Sequence, residues 1–363
     1  MACGDFRILA INPGSTSTKF GLFADDRLEE NWTLRHGSEE LLPFKGRPIL
    51  EQSGFRLALI ERELRSYGVQ GLSAVVGRGG LLPALDSGTY LVDDAMLEYL
   101  RLAPRGEHAA NLGAPLARAI AAKAGVDAFI VDPVSVNERT AKARLSGLAQ
   151  IDRDGFCHAL NSKAVAQRYA RDQKRGYADL RLVVAHLGGG VCISAHEGGR
   201  MIDATDAQQE GPFSSERAGT VPVLQLARLC FDGRYGKQDI ERMLIAEGGL
   251  SSYLGTTELV EVERRIAEGD EKAALVFEAL AYQIAKEIGA MAAVLEGRVD
   301  AILITGGMAH SQKLLAAVRK SVEWIAPVHV YPGEEELQAL AEGALRVLRR
   351  EETAKTMNQI GQP

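Results

Sequence analysis

Basic residues are not in excess in this chain of 363 residues, because 42 Lys and Arg stand against 48 Asp and Glu, for a net charge of -6. Nucleic acids and acidic membranes require concentrated Lys and Arg, so neither is an expected partner. The four cysteines are widely spaced and form no CxxC pair, which argues against a disulfide framework or a zinc site. No run approaches the roughly 18 apolar residues of a membrane span, and the amino terminus lacks an apolar signal core. We therefore expect a cytoplasmic protein.

The composition that is present, with 46% hydrophobic and 25% charged residues, is that of an ordinary globular protein. At roughly 150 residues per domain, the length suggests about two domains. We predict an N-terminal lobe over residues 1–153, a C-terminal lobe over 154–340, and a helix and tail over 341–363, which could pack back on the first lobe. The richest apolar stretch, Ala273 to Leu295, is interrupted by charged residues, which favours a buried helix of a soluble core.

One supersecondary unit occurs twice along the chain. A predicted strand at residues 8–12 leads into a small-residue loop, a second strand at 20–23 and a charged turn, and the same order recurs with strands at 182–186 and 191–195. Strand and helix patterns alternate between these units, which predicts an α/β fold. The further predicted elements are strands at 74–76, 128–131 and 301–304 and a helix at 114–124. Two such lobes would suit a nucleotide held in a cleft between them.

Three predicted strands end in loops of glycine and small hydroxyl residues: Gly14 to Lys19, Gly188 to Gly190, and Thr305 to Gly307. Loops of this kind expose backbone N–H groups and can form anion sites, although any one of them could be an ordinary hairpin turn. The first is not a P-loop, because no Gly precedes Lys19 and a strand follows. The second is not a dinucleotide fingerprint, because the strand continues after it. Three such loops together suit a triphosphate.

Two segments, ILAINPGSTSTK at residues 8–19 and VVAHLGGG at 183–190, resemble the two signatures of the acetokinase family. Three further segments extend the resemblance along nearly the whole chain, and towards butyrate kinases in particular: HALN at 158–161, EGPFSSERAG at 210–219 and ITGG at 304–307. Cys192 departs from the pattern, where a small hydroxyl residue is expected. The resemblance implies the duplicated, ribonuclease H-like fold of sugar kinases, actin and Hsp70. It also implies reversible, direct in-line phosphoryl transfer from ATP, with Mg²⁺, to butyrate.

A carboxylic acid is already ionised at neutral pH, so its phosphorylation needs no general base and depends on cations and hydrogen-bond donors around the phosphoryl group. Arg78 follows a predicted strand between glycines that would let a ligand come close, and the resemblance implies that it binds the substrate carboxylate. The resemblance assigns Arg217 and His158 to the transition state. It places Asp132 near the metal or the acid. The alternatives are solvated arginines and an aspartate that caps a turn.

His186 ends a strand directly before the glycine triplet, where we expect contact with the γ-phosphate; a structural histidine bonded to a strand carbonyl is the alternative. His108 precedes a predicted helix, whose amino terminus favours anions. The remaining histidines have no comparable context and are expected to be structural, except that His310 lies beside the predicted adenosine loop: His36, His196, His310 and His329.

For the nucleotide, the resemblance implies contacts at Asn12, Gly14, Ser15, Ser17, Lys19, His186, Gly188, Gly189, Gly190, Thr305, Gly306, Gly307 and His310. Asn12 together with Glu335 or Glu336 would hold Mg²⁺, an ion that prefers oxygen ligands and keeps several waters. The sequence does not distinguish the two glutamates. An acidic cluster favoured by the dipole of a helix amino terminus is the other interpretation of this segment.

Three other functions remain to be weighed. Acetate and propionate kinases would differ only in the depth of the acyl pocket, which the sequence does not show. A non-catalytic ATP-binding module of the actin or Hsp70 kind would bind nucleotide without acid-dependent turnover. A sugar kinase would need a general-base aspartate, such as Asp132, but the family motifs weigh against it. We expect a homodimer or higher homo-oligomer that binds nucleotide and a small carboxylic acid.

Overall fold

The computed structural model describes residues 6–357, so Cys3 and tail residues 358–363 lie outside the described residues. The chain divides into two compact units. Within the described residues, the first is formed by residues 6–136 together with 335–357, and the second by residues 137–334. The sequence predicted changes of domain after residues 153 and 340, and that assignment stays a prediction.

The first unit is built on a six-stranded sheet in the order β3-β2-β1-β4-β6-β5. Its strands are β1 (Arg7–Pro13), β2 (Ser17–Ala24), β3 (Arg27–Arg35), β4 (Ala74–Arg78), β5 (Thr89–Leu91) and β6 (Asp127–Val131). Its helices are α1 (Ser38–Leu41), α2 (Ser53–Tyr67), α3 (Asp94–Leu102), α4 (Gly113–Ala124) and α13 (Glu336–Leu348), with 3₁₀ turns at Leu42–Phe44, Ile49–Gln52 and Ala109–Leu112.

The parallel strands β1, β4 and β6 form the centre of this sheet. Residues Ile8 to Ile11 of β1 are fully buried, as is typical of parallel strands that are covered on both faces. Helices α4 and α13 pack against these strands. The carboxyl ends of β1 and β4 therefore lie side by side, which brings Asn12 and Arg78 to one edge of the sheet.

The second unit contains a five-stranded sheet in the order β11-β10-β7-β8-β9. Its strands are β7 (Leu182–Leu187), β8 (Val191–Glu197), β9 (Arg200–Ala204), β10 (Ala301–Gly306) and β11 (Val328–Pro332). Its helices are α5 (Ala141–Arg144), α6 (Ala159–Asp172), α7 (Val223–Phe231), α8 (Lys237–Ile245), α9 (Gly249–Leu254), α10 (Leu259–Ala267), α11 (Glu271–Val294) and α12 (Gln312–Val322), with 3₁₀ turns at Tyr177–Asp179 and Gly307–His310.

The predicted repeat is confirmed. Each sheet begins with three consecutive antiparallel strands, β1-β2-β3 in the first unit and β7-β8-β9 in the second, and continues through parallel neighbours of the first strand. The predicted core helix is also confirmed as α11, in which Leu280, Ile284 and Ile288 are fully buried at helical spacing. Both results follow from hydrophobic periodicity, which depends only on local sequence.

Helix α7 differs from the other long helices because none of its residues is buried. Val223, Leu224 and Phe231 are 76%, 72% and 90% exposed, although the helix carries only one charged residue, Arg228. Apolar side chains in such numbers usually face a partner rather than water. Among residues 6–357, no helix is long and apolar enough to cross a membrane.

Candidate active site

In the first unit, three predicted site residues meet at the carboxyl edge of the sheet. The Asn12 amide Nδ2 donates a short hydrogen bond to Glu336 Oε2, and Arg78 Nη1 lies 3.0 Å from the same oxygen. Arg78 Nη1 also donates to Asn12 Oδ1 at 3.3 Å. Glu336 opens helix α13, whose amino-terminal dipole favours its carboxylate. Of the two glutamates that the sequence left open, Glu336 makes these contacts, while Glu335 occupies the N-cap position of the helix.

The glycines around Arg78 have a different role from the one expected. A Cβ atom at Gly77 would lie 2.2 Å from the Gly113 carbonyl oxygen, and one at Gly113 would lie 2.0 Å from the Arg78 carbonyl oxygen. A Cβ atom at Gly79 would likewise lie 2.3 Å from Pro133 Cβ. These glycines therefore allow α4 and the segment after β6 to pack on the end of β4. The expectation that they admit a ligand is wrong at these two flanking positions, because protein atoms occupy that space.

Asp132 follows β6 and adopts a positive φ of 37°, which is unusual for a residue with a side chain. Its Oδ1 accepts hydrogen bonds from the Ser87 hydroxyl at 2.6 Å and from the Gly88 N–H at 2.8 Å. The carboxylate thus caps a turn, as one interpretation of the sequence anticipated. Backbone strain of this kind, about 1–3 kcal/mol, occurs often at functional sites, so the capping does not remove Asp132 from consideration.

The predicted phosphate loop lies between β1 and β2. Lys19 is exposed and stands opposite Asn12 in the antiparallel register, and the backbone N–H of Gly14 donates to the Ser17 carbonyl at 2.8 Å. Sequence reasoning missed Arg56. Its buried guanidinium donates hydrogen bonds to the backbone carbonyls of this loop. His108 caps the 3₁₀ turn at Ala109–Leu112, where its Nδ1 accepts from the Ala110 N–H at 3.1 Å.

In the second unit, the two predicted site histidines stack on each other. The rings of His158 and His186 lie 3.9 Å apart with an interplanar angle of 11°. His158 stands at the N-cap of α6, and Asn161 in the first turn of that helix places Oδ1 2.9 Å from His186 Nδ1. The start of α6 therefore holds the His186 ring by the stacking of His158 and by the hydrogen bond to Asn161. Asn161 appeared in the sequence only as part of a motif, and no local signal identified its contact with a residue 25 positions away.

The other ring nitrogen of His186 is buried without a hydrogen-bond partner in the part of the chain that the structure describes. Glu334 Oε1 lies 3.1 Å from this Nε2, but the two groups are too poorly aligned to form a hydrogen bond. Leaving a buried polar nitrogen unsatisfied is costly, so such a group usually indicates a ligand or water that completes it. The alternative of a structural histidine bonded to a strand carbonyl is not what this ring does.

Arg217 lies over the end of the glycine triplet. Its Nη1 donates to the Ala207 carbonyl at 2.9 Å, and a Cβ atom at Gly190 would lie only 2.2 Å from the same nitrogen. Burial lowers the pKa of Arg217 from its ordinary value, yet a guanidinium remains charged at neutral pH. The interpretation of Arg217 as a fully solvated side chain is therefore wrong, because the guanidinium is fixed against Gly190.

The third predicted loop follows β10 in the same unit. Thr305 Oγ1 donates to the Gly333 carbonyl at 3.2 Å, and Gly306 and Gly333 exchange backbone hydrogen bonds of 3.1 and 3.0 Å. His310 closes the 3₁₀ turn that begins at Gly307, and its Nε2 lies 3.6 Å from where a Cβ atom at Gly333 would be.

Cys192, which departs from the family pattern, is buried and donates its thiol hydrogen to the Thr205 carbonyl at 3.2 Å.

No group of three or more His, Cys, Asp or Glu side chains within residues 6–357 is arranged to hold a metal ion. The site residues instead form two sets, each within one unit. The first set is Asn12, Arg78 and Glu336, with the loop at residues 14–19. The second set is His158, His186, Gly188 to Gly190 and Arg217, with the loop at residues 305–307. Cations and hydrogen-bond donors dominate both sets, as phosphoryl transfer requires.

Comparison with solved structures gives the fold. The protein is similar to acetate kinase from Porphyromonas gingivalis, with a TM-score of 0.76 and 21% identity, over 95% of this chain and 100% of that one. It is similar to a propionate kinase from Francisella tularensis, with a TM-score of 0.74 and 18% identity, over 93% and 98%. A ROK family protein from Streptococcus pneumoniae matches with a TM-score of 0.52 and 12% identity, over 96% and 100%. At these identities the likeness establishes the fold alone.

These matches confirm the predicted α/β fold, which acetate kinases share with ROK sugar kinases and with the actin and Hsp70 architecture. The sequence itself matches the profile of the acetokinase family over residues 144–353, which is more than half of the chain. The chain belongs to the acetokinase family of carboxylate kinases.

Proposed function

We propose that this protein transfers the γ-phosphoryl group of MgATP to butyrate, or to a branched acid of four to five carbons, in a reversible reaction. The observation that carries the proposal is the buried His186 ring nitrogen that lacks a hydrogen-bond partner within the described chain, beside a glycine triplet. Because Nδ1 donates to the Asn161 oxygen, the doubly protonated ring would donate from Nε2 to a phosphate oxygen placed there. Asn161 on the opposite ring nitrogen fixes the ring for that contact.

The remaining groups of the second unit suit a loose, metaphosphate-like transition state, in which charge spreads over the equatorial oxygens. Arg217 would place its guanidinium on these oxygens, and His158 would support the His186 ring by stacking. Because these groups are already fixed by Ala207 and by helix α6, they need little reorganisation when charge develops.

In the first unit, we propose that Arg78 binds the substrate carboxylate, since a guanidinium matches the two oxygens of a carboxylate. Asn12 and Glu336 supply the hard oxygen donors that fit Mg²⁺, which accepts one or two carboxylates and keeps several waters. When bound, the ion would neutralise charge on the nucleotide phosphates. The ionised acid needs no general base, so a proton-accepting role for Asp132 is not required.

The preference for butyrate rests on the resemblance of the sequence to butyrate kinases. Acetate and propionate are the rival acceptors, because the similar solved structures include an acetate kinase and a propionate kinase. Each buried methylene contributes up to about 0.8 kcal/mol, so two additional carbons would supply roughly tenfold in kcat/KM. The preference is therefore expected to be graded rather than absolute.

The test is a panel of straight and branched acids of two to six carbons with MgATP, in which acyl phosphate is trapped as the hydroxamate. We expect the largest kcat/KM with butyrate or isobutyrate. A maximum at acetate or propionate would identify the rival activity. Nucleotide binding without turnover of any acid would contradict the proposal and favour a non-catalytic module.

We also propose that the protein forms a homo-oligomer in which the exposed face of helix α7 contacts the same face of a second copy. Leu224 and Phe231 are seven residues apart and lie on one side of the helix. Arg228, the single charge of the helix, lies on the same side between these two residues, so the two copies would have to pack with their Arg228 guanidinium groups at the edge of the contact.

A further inference from the structure

The strongest feature that the proposed function leaves unused is Arg56, in helix α2 of the first unit. Arg56 is fully buried, at 0% exposure, and it is the largest of the fully buried side chains. Its guanidinium donates to three carbonyls of one loop: Gly14 at 2.7 Å, Ser17 at 3.0 Å and Ser15 at 3.1 Å. Its remaining contacts, to Gln52 Oε1 and Thr18 Oγ1, are also to neutral oxygens.

Arg56 has no carboxylate partner among residues 6–357, since all of its acceptors are amide, carbonyl or hydroxyl oxygens. Burial lowers the pKa of Arg56 to about 10, so the group is still a cation at neutral pH. A buried charge without a counter-charge is expensive, and proteins usually pair it. The charge is therefore expected to have a function that a neutral side chain could not perform.

The hydrogen bonds of Arg56 also orient the loop. In a planar trans peptide, the carbonyl of one residue and the N–H of the next point in opposite directions. The Gly14 and Ser15 carbonyls face Arg56, so the N–H groups of Ser15 and Thr16 must point away from it. Ser15 and Thr16 are exposed, so these N–H groups can reach a ligand. Successive N–H groups directed to one side make an anion site.

We propose that Arg56 is the positioning residue of the loop at residues 14–18: it holds the loop carbonyls inward, so that the Ser15 and Thr16 N–H groups bind a nucleotide phosphate. Its buried charge then acts as the counter-charge that favours this phosphate. The inference rests on the proposed function, because it assigns the anion to the nucleotide.

The test separates the phosphate chain of the ligand from the nucleoside. Arg56→Met removes the charge and all five donors, and Arg56→Lys keeps the charge but supplies only three donors. Titration calorimetry would measure the binding of MgATP, inorganic tripolyphosphate and adenosine. We expect Arg56→Met to weaken MgATP and tripolyphosphate at least tenfold and Arg56→Lys at least threefold. Adenosine affinity and the KM of the acid should change by less than twofold.

The matched control is Arg65→Met on the same helix, because Arg65 is exposed and forms an ordinary surface pair with Glu61. It should bind all three ligands as the parent does. Circular dichroism would establish which variants are folded, and if Arg56→Met is not folded, the Arg56→Lys result decides. A folded Arg56 variant whose tripolyphosphate affinity equals that of the parent would overturn the inference. A parent protein that binds nucleotide but phosphorylates no acid would instead contradict the proposed function.

Discussion

Adding one methyl group at Gly190 is expected to impair catalysis by moving Arg217. A Cβ atom at this position would lie 2.2 Å from Arg217 Nη1, whereas ordinary contacts lie at about 3.5 Å, so the guanidinium must retreat by roughly 1 Å. That displacement would break its 2.9 Å hydrogen bond to the Ala207 carbonyl. A misplacement of about 1 Å in a reacting group costs about 10²-fold, so we expect Gly190→Ala to lower kcat by about that factor.

Two further variants calibrate this loss. Arg217→Ala removes the guanidinium altogether and should cost roughly 10²- to 10³-fold in kcat, with little change in nucleotide affinity. Since both changes act on one group, the double variant should be no slower than Arg217→Ala alone. Gly189→Ala adds the same methyl to the same loop, but its Cβ would meet only Glu216 Oε1, at 3.4 Å. It separates displacement of Arg217 from a general effect on the loop.

The assay is the initial rate of acyl hydroxamate formation at saturating MgATP and acid. The reasoning would be refuted if Gly190→Ala retained a kcat within about threefold of the parent. It would also be refuted if Gly189→Ala and Gly190→Ala lost the same amount, because a common loss would have nothing to do with Arg217.

Three other outcomes are expected. Asn161→Leu should lower kcat about tenfold or more while Asn161→Asp, which retains an acceptor for His186, should be closer to the parent; equal losses would argue against ring positioning. Burial lowers the pKa of His196 to about 3, so the unfolded chain binds the extra proton between about pH 6.5 and 3 and stability falls as the pH drops through that window. The melting temperature of His196→Gln should therefore depend less steeply on pH there, and an unchanged slope would contradict this. Phe231→Glu should shift the sedimentation coefficient towards the monomer, and an unchanged value would exclude α7 as the contact.

Local sequence predicted seven of the eleven described strands, because strand alternation and loop composition need no knowledge of distant residues. The units at residues 8–23 and 182–195 and the helix α11 were found for this reason. Local sequence did not predict β3, β5, β9 or β11. The pairing of side chains could not be found in the same way. Arg78 meets Glu336 across 258 positions, and Arg56 reaches Gly14 across 42.

The glycines beside Arg78 show a related limit. Glycine next to a candidate binding residue suggested space for a ligand. The absence of a side chain can equally allow another part of the protein to pack there. Only the approach of α4 and Pro133 distinguishes the two cases. Arg56 gave no signal at all, because an arginine in a charged helical sequence is usually solvated.

The contact between Gly77 and Gly113 has a consequence for how sequence variation in this protein would be interpreted. Neither position has room for a methyl group, so substitution at either would shift the backbone that carries Arg78. In a saturation mutagenesis screen for growth on the acid, both would score as essential, although neither carries a functional group. Attempts to alter acid selectivity should therefore keep these two positions fixed and vary side chains elsewhere.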